Sequence, residues 1–215
     1  MKIVEDFRAH TDTEKAKKQE AYLRDQFKFL GLPTPVRREL SKSFLKEKAQ
    51  EKVIDWQLVD FLWSEEEREF QYLACDYLRK MKKYLEATDL PKIYQLATTK
   101  SWWETVDSLD ELVGYLLLSG KIKSPDILKW SADENFWIRR IAIDCQLGFK
   151  EATDTELLST VIRNNLGSKE FFINKAIGWA LRDYSKTHPK WVAHFLSENE
   201  EKLANLSLRE ASKYL

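Results

Sequence analysis

Trp103 and Asp107 form the first pair of residues whose types and spacing could support chemistry. They are four residues apart, so in a helix they share one face, while the apolar stripe of the same segment runs through Trp102 and Val106. A large aromatic residue off the core normally marks a contact surface, and a carboxylate beside it can stabilise positive charge. On spacing alone a half-buried tryptophan packed beside a solvated aspartate is the favoured interpretation, and a site is the alternative.

A second candidate surface is a cationic row with an indole in its middle. Lys175, Trp179, Arg182 and Lys186 follow the spacing i, i+4, i+7 and i+11, opposite the apolar stripe that includes Ile173. Such a row suits a nucleic-acid backbone, because cations meet phosphates and the ring meets a sugar or base. An ordinary solvated helix face carrying one packed tryptophan is the alternative.

Two further groups of cations recur outside the apolar stripes. Arg139 and Arg140 follow Trp137, and Thr34-Pro35-Val36-Arg37-Arg38 resembles a loop that leads into a helix N-terminus, where backbone N–H groups could hold a phosphate. Each signal is modest alone. Their recurrence favours a phosphate-binding surface.

Several common catalytic centres have no counterpart in this sequence. His10, His188 and His194 lack cysteine or carboxylate neighbours at metal-ligand spacing, and neither a phosphate-binding glycine loop nor a Gly-x-Ser-x-Gly elbow occurs. Cys75 and Cys145 both lie on apolar stripes, where buried small side chains are the usual finding. We therefore predict no metal site and no cofactor, which leaves a site built from one carboxylate and several aromatic residues.

The elements that must position these residues are helices. Glycine and proline total 6 + 5 = 11 residues, too few for the turns of an all-β fold. Apolar residues recur at helical spacing throughout, and Thr11-x-x-Glu14, Ser64-x-x-Glu67 and Ser131-x-x-Glu134 match the capping box that begins a helix. We predict nine to a dozen helices and no strand.

The helical pattern also repeats. Phe70, Trp103, Trp137 and Phe172 follow one another at intervals of 33, 34 and 35 residues. A period of this length in an all-helical chain indicates stacked helix pairs. We predict an all-α solenoid of HEAT-like or tetratricopeptide-like repeats, a superhelix with a concave groove, formed by residues 1–215 as a single domain.

Charge and hydropathy limit the possible partners. Lys+Arg 35 balance Asp+Glu 35, so binding to DNA would require that the basic residues lie together on one face. The first residues become charged too early for a secretory signal, and the longest apolar stretch, residues 112–118, is too short to span a bilayer. We expect a soluble, cytoplasmic monomer.

Two long motifs resemble signatures of the AlkD family of bacterial alkylpurine DNA glycosylases: Thr99–Asp107 (TKSWWETVD) and Ser168–Tyr184 (SKEFFINKAIGWALRDY). The segments 29–38, 67–71 and 209–211 are similar as well, so the resemblance covers nearly the whole chain. It implies a superhelix of HEAT-like repeats with duplex DNA in its concave face. The implied activity is excision of positively charged alkylated bases such as 3-methyladenine and 7-methylguanine, without drawing the base into a pocket.

The resemblance also implies roles for individual residues. Asp107 matches the catalytic carboxylate of the family, and Trp103 and Trp179 match the aromatic residues beside the sugar of the lesion. Arg140 and Arg182 match DNA-contacting arginines. With these we group other candidate DNA contacts in the similar segments: Lys175, Lys169, Thr34, Pro35, Arg38 and Arg209.

The implied chemistry needs one acid rather than two. A cationic alkylated base leaves as a neutral molecule, so no general acid is required, whereas ordinary glycoside hydrolysis uses two carboxylates. Positive charge then develops on the deoxyribose, where Asp107 could stabilise it and help place a water molecule.

Two other functions stay open at this stage. Both chain ends lie close to the matched segments, so the first and last helices of the family could be shortened, and the net charge is zero. A catalytically weak or silent helical-repeat module that binds nucleic acid or protein is therefore the alternative. A scaffold in which Trp103 and Trp179 are buried packing residues is the third possibility.

Overall fold

A computed structural model describes all residues from 1 to 215, and over this range the helices are joined by turns and loops without a β-strand. It forms thirteen α-helices and five short 3-10 helices, and pairing of the β type is limited to an isolated bridge between Lys28 and Glu67. The all-α prediction is confirmed, with one helix more than the predicted upper limit. None of the helices combines the length and the apolar character needed to cross a membrane.

The helices fall into two compact units, Met1–Leu85 and Glu86–Leu215. The first unit contains α1 (Lys2–Ala9), α2 (Thr13–Tyr22), α3 (Thr34–Lys48), α4 (Trp56–Ser64) and α5 (Arg68–Met81). In this unit α3 packs against α1 and α5, and α4 packs against α5.

The second unit contains the remaining eight helices: α6 (Leu90–Thr98), α7 (Trp103–Leu118), α8 (Ser124–Ser131), α9 (Phe136–Asp144), α10 (Thr155–Arg163), α11 (Phe171–Ser185), α12 (Pro189–Asn199) and α13 (Asn205–Ala211). Within this unit α6 packs on α7, α8 on α9, α10 on α8 and α9, and α12 on α11. Helices α7, α9, α11 and α13 also contact one another in this order. A row of helices therefore runs through this unit.

The predicted apolar stripes form the cores of both units. In α5 the stripe that begins at Phe70 is fully buried, and in α7, α9 and α11 the same holds for the stripes around Val106, Ile141 and Ile177. Cys75 and Cys145 are buried and free, as their positions on these stripes predicted. Because the apolar faces are covered, the polar residues beside them sit at fixed positions next to each core.

The helix starts differ from the capping prediction. The hydroxyl groups of Thr11, Ser64 and Ser131 each donate a hydrogen bond backward to the carbonyl three residues earlier, so the three predicted capping boxes are wrong. Ser64 and Ser131 end α4 and α8, where a hydroxyl can satisfy a carbonyl of the last turn. Helix α2 is capped instead by Asp12 and α9 by Asn135, whose side chains accept hydrogen bonds from backbone N–H groups of the first turn.

The repeated aromatic positions have a common location. Phe70, Trp103, Trp137 and Phe172 lie within the first three residues of α5, α7, α9 and α11 respectively. The period of the sequence is thus the spacing between the starts of α5, α7, α9 and α11. Of these helices, α7, α9 and α11 carry the candidate site residues of the second unit.

One buried acid organises the first unit. Glu69 accepts hydrogen bonds from the backbone N–H groups of Leu30, Gly31 and Leu32 at 2.9–3.0 Å. Gly31 has a φ of +88°, and a Cβ atom there would stand 2.0 Å from the carbonyl oxygen of Asp12, so the turn requires glycine. This contact explains why the segment before α3 and the start of α5 are both distinctive in the sequence.

Candidate active site

Helix α7 presents Trp103 and Asp107 outside the apolar core of the second unit. Trp103 is the first residue of the helix and Asp107 lies one turn later, and both side chains are half-buried. Trp102 precedes the helix rather than belonging to its stripe. It packs against Trp137 and Phe172, with ring centroids 6.0 and 5.5 Å away, and this contact anchors the start of α7.

The Asp107 carboxylate is held by Arg140 from α9. Arg140 Nε donates to Asp107 Oδ1 at 2.8 Å, and Nη2 donates to Oδ2 at 2.9 Å. Nη1 of the same guanidinium donates to the carbonyl oxygen of Phe172 at the start of α11, at 2.7 Å. The fork geometry fixes the carboxylate in position and orientation, because two parallel charge-assisted hydrogen bonds leave it little freedom.

Exposure differs sharply across this ion pair. The Arg140 side chain is 1% exposed and that of Asp107 is 23% exposed. A ligand can therefore reach the carboxylate, whereas the guanidinium is covered by α7, α9 and α11. The expected direct contact of Arg140 with DNA does not fit this burial, because its nitrogen atoms are directed to Asp107 and Phe172 inside the protein.

Two more acids lie beside the pair. Oxygen atoms of Asp107, Asp110 and Asp144 lie within 4.8 Å of one another, and the last two residues are buried. Asp144 Oδ2 is 3.7 Å from Nη2 of Arg140, which lies one turn earlier on α9. Because Arg140 already supplies positive charge within this group, we interpret it as an ion-pair network and assign no metal to it.

Burial dominates the pKa values of these acids. It raises the pKa of the Asp107 carboxyl, while the hydrogen bonds and charge of Arg140 act in the opposite direction. Burial raises the pKa of Asp144 to about 7 against the lowering effect of Arg140. The pKa of Asp110 is raised well above its usual range by burial and by the neighbouring charges of Asp144 and Asp107. Of the three acids, Asp110 is therefore the one whose charged form is disfavoured both by burial and by two neighbouring carboxylates.

Trp179 on α11 stands beside the pair and is surrounded by cations. The guanidinium carbon of Arg140 is 5.3 Å from the ring centroid, Lys175 Nζ is 5.5 Å away, and the guanidinium carbon of Arg182 is 5.9 Å away. All three distances lie in the range of cation–π attraction. The predicted row on α11 thus exists, and the structure joins it to Asp107 through Arg140.

Glu210 on α13 neutralises much of that row. Its carboxylate accepts hydrogen bonds from Lys175 at 2.9 Å, from Arg182 at 2.8 Å and from Lys213 at 2.8 Å. The hydrogen bonds from Lys213 and Lys175 lower the pKa of Glu210 to about 2, so it is ionised at neutral pH. The cations of α11 are therefore not an uncompensated positive patch, although 25% of the Lys175 side chain and 28% of that of Arg182 remain exposed.

The other predicted DNA contacts occupy exposed or half-buried positions. Lys169 precedes α11, and Arg209 lies on α13, both in the second unit. In the first unit, Thr34 and Pro35 open α3 and Arg38 follows in the next turn, all exposed. Lys186, the last cation of the predicted row, pairs with Asp183 at 3.1 Å. The placement of α3 confirms that this segment begins a helix.

Sequence reasoning missed three residues of the site: Asp110, Asp144 and Glu210. Asp110 follows Asp107 by three residues and Asp144 follows Arg140 by four, so helical spacing places each on the face of a residue already singled out. That spacing was a usable signal. Glu210 reaches Lys175 across 35 residues, and no local pattern connects them.

These features define an all-helical protein with a partly exposed carboxylate, that of Asp107, which a buried arginine holds in place. The Trp179 indole and several basic residues lie beside it. The sequence from residue 3 to residue 215 matches the family model described as "DNA alkylation repair enzyme". The chain therefore belongs to the DNA alkylation repair enzyme family, as its AlkD-like motifs predicted.

Two solved structures are similar to this chain. One is titled "Predicted DNA alkylation repair enzyme from Enterococcus faecalis"; it is 36% identical with a TM-score of 0.88, over 96% of this chain and 97% of that one. The other, smu.31 from Streptococcus mutans UA159, is 21% identical with a TM-score of 0.58, over 83% of this chain and 97% of that one, and shows the fold alone. No curated protein matches the chain.

Proposed function

We propose that this protein is a DNA glycosylase that hydrolyses the N-glycosidic bond of positively charged alkylated purines, such as 3-methyladenine and 7-methylguanine, in duplex DNA. The observation that carries the proposal is the Asp107 carboxylate, partly exposed and held by Arg140 beside Trp179, in a chain of a DNA alkylation repair family. Asp107 is the proposed catalytic residue.

The reaction needs charge stabilisation more than proton transfer. The alkylated base carries its positive charge before cleavage and leaves neutral, so the charge moves to the deoxyribose as the bond breaks. A unit charge pair about 4 Å apart at an effective dielectric constant of about 20 contributes about 4 kcal/mol, which corresponds to roughly a thousandfold in rate. One fixed carboxylate is therefore sufficient to account for a large acceleration, and it can also orient the attacking water.

Arg140, Trp103 and Trp179 have supporting roles in this proposal. Arg140 acts as a positioning residue, because its buried guanidinium holds the two oxygens of Asp107. Trp103 and Trp179 flank the sugar, where each ring face would add about 0.5–2 kcal/mol of attraction to the developing cation. This assignment replaces the expected contact of Arg140 with a DNA phosphate.

The exposed basic residues of each unit would bind the DNA backbone. In the second unit these are Lys169, Lys175, Arg182 and Arg209. In the first unit the N-terminus of α3, with Thr34, Pro35 and Arg38, would receive a phosphate on backbone N–H groups. Phosphate contacts position the duplex without reading its sequence, which suits an enzyme that must act on scattered lesions.

The helix pairs of the second unit support a HEAT-like arrangement. Helices α7, α9, α11 and α13 contact one another in order, and the proposed site residues Asp107, Arg140, Trp179 and Glu210 come one from each. We propose that this row of helices is the DNA-facing side of stacked repeats. The single domain over residues 1–215 and the superhelix with its concave groove remain predictions.

The direct test is release of 7-methylguanine from duplex DNA under single-turnover conditions. We expect the wild-type protein to release base faster than the spontaneous rate. Asp107→Asn should lose at least about 100-fold in rate with little change in DNA affinity, because the substitution removes charge and keeps shape. Glu156→Gln, which removes one exposed acid of α10, is the matched control and should behave as the wild type. No release by the wild type at micromolar protein and low salt would overturn the proposal.

A catalytically silent nucleic-acid-binding module is the second candidate, and one observation favours it. Glu210 already forms ion pairs with Lys175 and Arg182, which are the cations beside Trp179 that would otherwise contact DNA. This alternative expects duplex binding that depends on the basic residues, no base release, and no effect of Asp107→Asn on any measurement.

A further inference from the structure

The Asp107–Arg140 pair raises an electrostatic problem for the reaction proposed above. A carboxylate and a guanidinium joined by two hydrogen bonds at 2.8 and 2.9 Å carry no net charge together. Such a pair attracts a cation only as a dipole, and this attraction falls off faster with distance than that of a single charge. For Asp107 to stabilise a positively charged sugar strongly, something else must compensate Arg140.

Asp144 is placed to do this. It lies one turn after Arg140 on α9, its side chain is 1% exposed, and its Oδ2 is 3.7 Å from Arg140 Nη2. Neither of its oxygen atoms has a hydrogen-bond partner. Burial of a carboxylate without hydrogen bonds costs free energy, so packing and stability do not account for an aspartate at this position.

We propose that Asp144 is a positioning residue of the active site, whose carboxylate neutralises Arg140 so that the charge of Asp107 stays available to the substrate. The inference rests on the proposed glycosylase activity and deepens it. Arg140 stands between two carboxylates: Asp107, which is partly exposed, and Asp144, which is buried. With Asp107 and Asp144 ionised, the three side chains carry a net charge of −1.

The remaining charged groups around Asp144 support this count. The groups that act on Asp144 or on its immediate neighbours come from two helices. Arg140 lies on α9 and Cys145 directly follows that helix, whereas Asp107, Asp110 and Glu111 lie on α7. On α11, the cations Lys175 and Arg182 share the Trp179 ring with Arg140. Burial strongly raises the pKa of the Cys145 thiol, so the thiol stays uncharged at neutral pH. Burial and the charges of Asp144 and Asp107 raise the pKa of Asp110 well above its usual range, which favours its neutral form.

The proposal makes the reaction sensitive to pH in the neutral range. The pKa of Asp144, about 7, means that protonation below this pH leaves Arg140 uncompensated and cancels the charge of Asp107. Activity should therefore fall as the pH is lowered through this range. Asp144→Asn should stay in the low-activity state at every pH.

The experiment compares single-turnover release of 7-methylguanine by the wild type, Asp144→Asn and Glu156→Gln from about pH 5.5 to about pH 8. Each rate is divided by the spontaneous rate on the same DNA, which cancels titration of the substrate itself. At about pH 8 we expect Asp144→Asn to be slower than the wild type by about tenfold or more, with DNA affinity within about twofold. The two proteins should converge at the acidic end.

Glu156→Gln is the control, since it removes an exposed acid of α10, and its rate should stay within about twofold of the wild type. Equal accelerations of Asp144→Asn and the wild type at about pH 8, or a ratio independent of pH, would overturn the inference. If Asp144→Asn fails to fold, the smaller Asp144→Ser takes its place in the same comparison, and a flat wild-type profile overturns the inference by itself. If the wild type is inactive, both the glycosylase proposal and the role of Asp144 are overturned. If the wild type is active and Asp144→Asn is equally active, only the role of Asp144 is overturned.

Discussion

Arg140 lies between Asp107, which it holds through two hydrogen bonds, and Phe172, whose carbonyl oxygen accepts a third. The side chain thus ties α7, α9 and α11 together at one point. Because all three bonds are directional, the position of the proposed catalytic carboxylate depends on how these helices pack. Structure and proposed chemistry are coupled through this single buried guanidinium.

The first prediction concerns Arg140→Lys, which keeps the positive charge and removes the fork. An ammonium group cannot make two parallel bonds to one carboxylate and reach the Phe172 carbonyl as well. We expect the single-turnover rate to fall by about 10–100-fold while the affinity for undamaged duplex changes by less than about threefold, since positioning rather than binding is lost. Arg139→Lys is the control on the adjacent residue, whose guanidinium bonds instead to Asn165 and to backbone carbonyls. Equal effects of the two substitutions would contradict the positioning role.

The neighbouring arginines also show where sequence reasoning stopped. Periodicity located the apolar stripes correctly because buried side chains must recur every 3.6 residues. It placed Arg139 and Arg140 together off the stripe of α9, yet Arg140 is almost fully buried. The reason is that α9 is covered by α7, α8 and α11, so that a second, polar face of the helix is enclosed too. A single stripe cannot reveal how many neighbours a helix has.

The neutralisation of the cationic row on α11 could not be predicted from the sequence, for a different reason. Lys175, Arg182 and Trp179 are correctly predicted to share a face of α11, because this depends only on spacing within one helix. Their neutralisation by Glu210 depends on how closely α13 approaches α11. Pairing between residues so far apart in the chain is a property of packing and not of local sequence. The role proposed for Asp107 was accessible only through the resemblance to a known family, since its spacing from Trp103 also fits a solvated aspartate.

The second prediction follows from that neutralisation. Glu210→Gln should release Lys175 and Arg182 toward DNA, so that duplex affinity at low salt rises. Each additional phosphate contact steepens the dependence of log K on log salt by about 0.9, and we expect the slope to increase by about 1 to 2. Fluorescence anisotropy with a labelled duplex over a salt series measures both quantities. Glu198→Gln, an exposed acid on α12, should leave the slope unchanged. An unaltered slope for Glu210→Gln would show that these cations do not meet phosphates.

The third prediction concerns Gly114 on α7. A Cβ atom at this position would stand 2.2 Å from the carbonyl oxygen of Cys145, so Gly114→Ala must push α7 away from α9. The clash should lower the free energy of unfolding by about 1–3 kcal/mol, and the higher helix propensity of alanine should restore about 1 kcal/mol of this loss. Urea unfolding followed by circular dichroism measures this. Base release should fall further than stability explains, because Asp107 and Arg140 lie on the two separated helices.

A substitution on the exposed side of the same helix provides the control. Leu118 is exposed at the end of α7, and Leu118→Ala should change the unfolding free energy by less than about 0.5 kcal/mol. If Gly114→Ala retained wild-type stability and wild-type base release, the close approach of the two helices would not be needed to hold the ion pair.

The last prediction isolates Asp144 by equilibrium stability, independently of DNA. Its folded-state pKa, about 7, lies above the ordinary value of 3.8, so between these values the folded protein binds a proton that the unfolded chain has released. The contribution of this group to stability is complete below about pH 4 and is lost as the pH rises to about 7. Relative to the wild type, Asp144→Asn should therefore gain stability from about pH 4.5 to about pH 7.5. The gain should reach about 3–4 kcal/mol, because a tenfold difference in proton affinity between the folded and unfolded states corresponds to about 1.36 kcal/mol.

Urea unfolding of both proteins at the two pH values gives this difference directly. A constant difference would mean that Asp144 does not titrate in this range, because only a group that changes its protonation between the two pH values can make the stabilities diverge. The pH dependence expected for base release would then need another source.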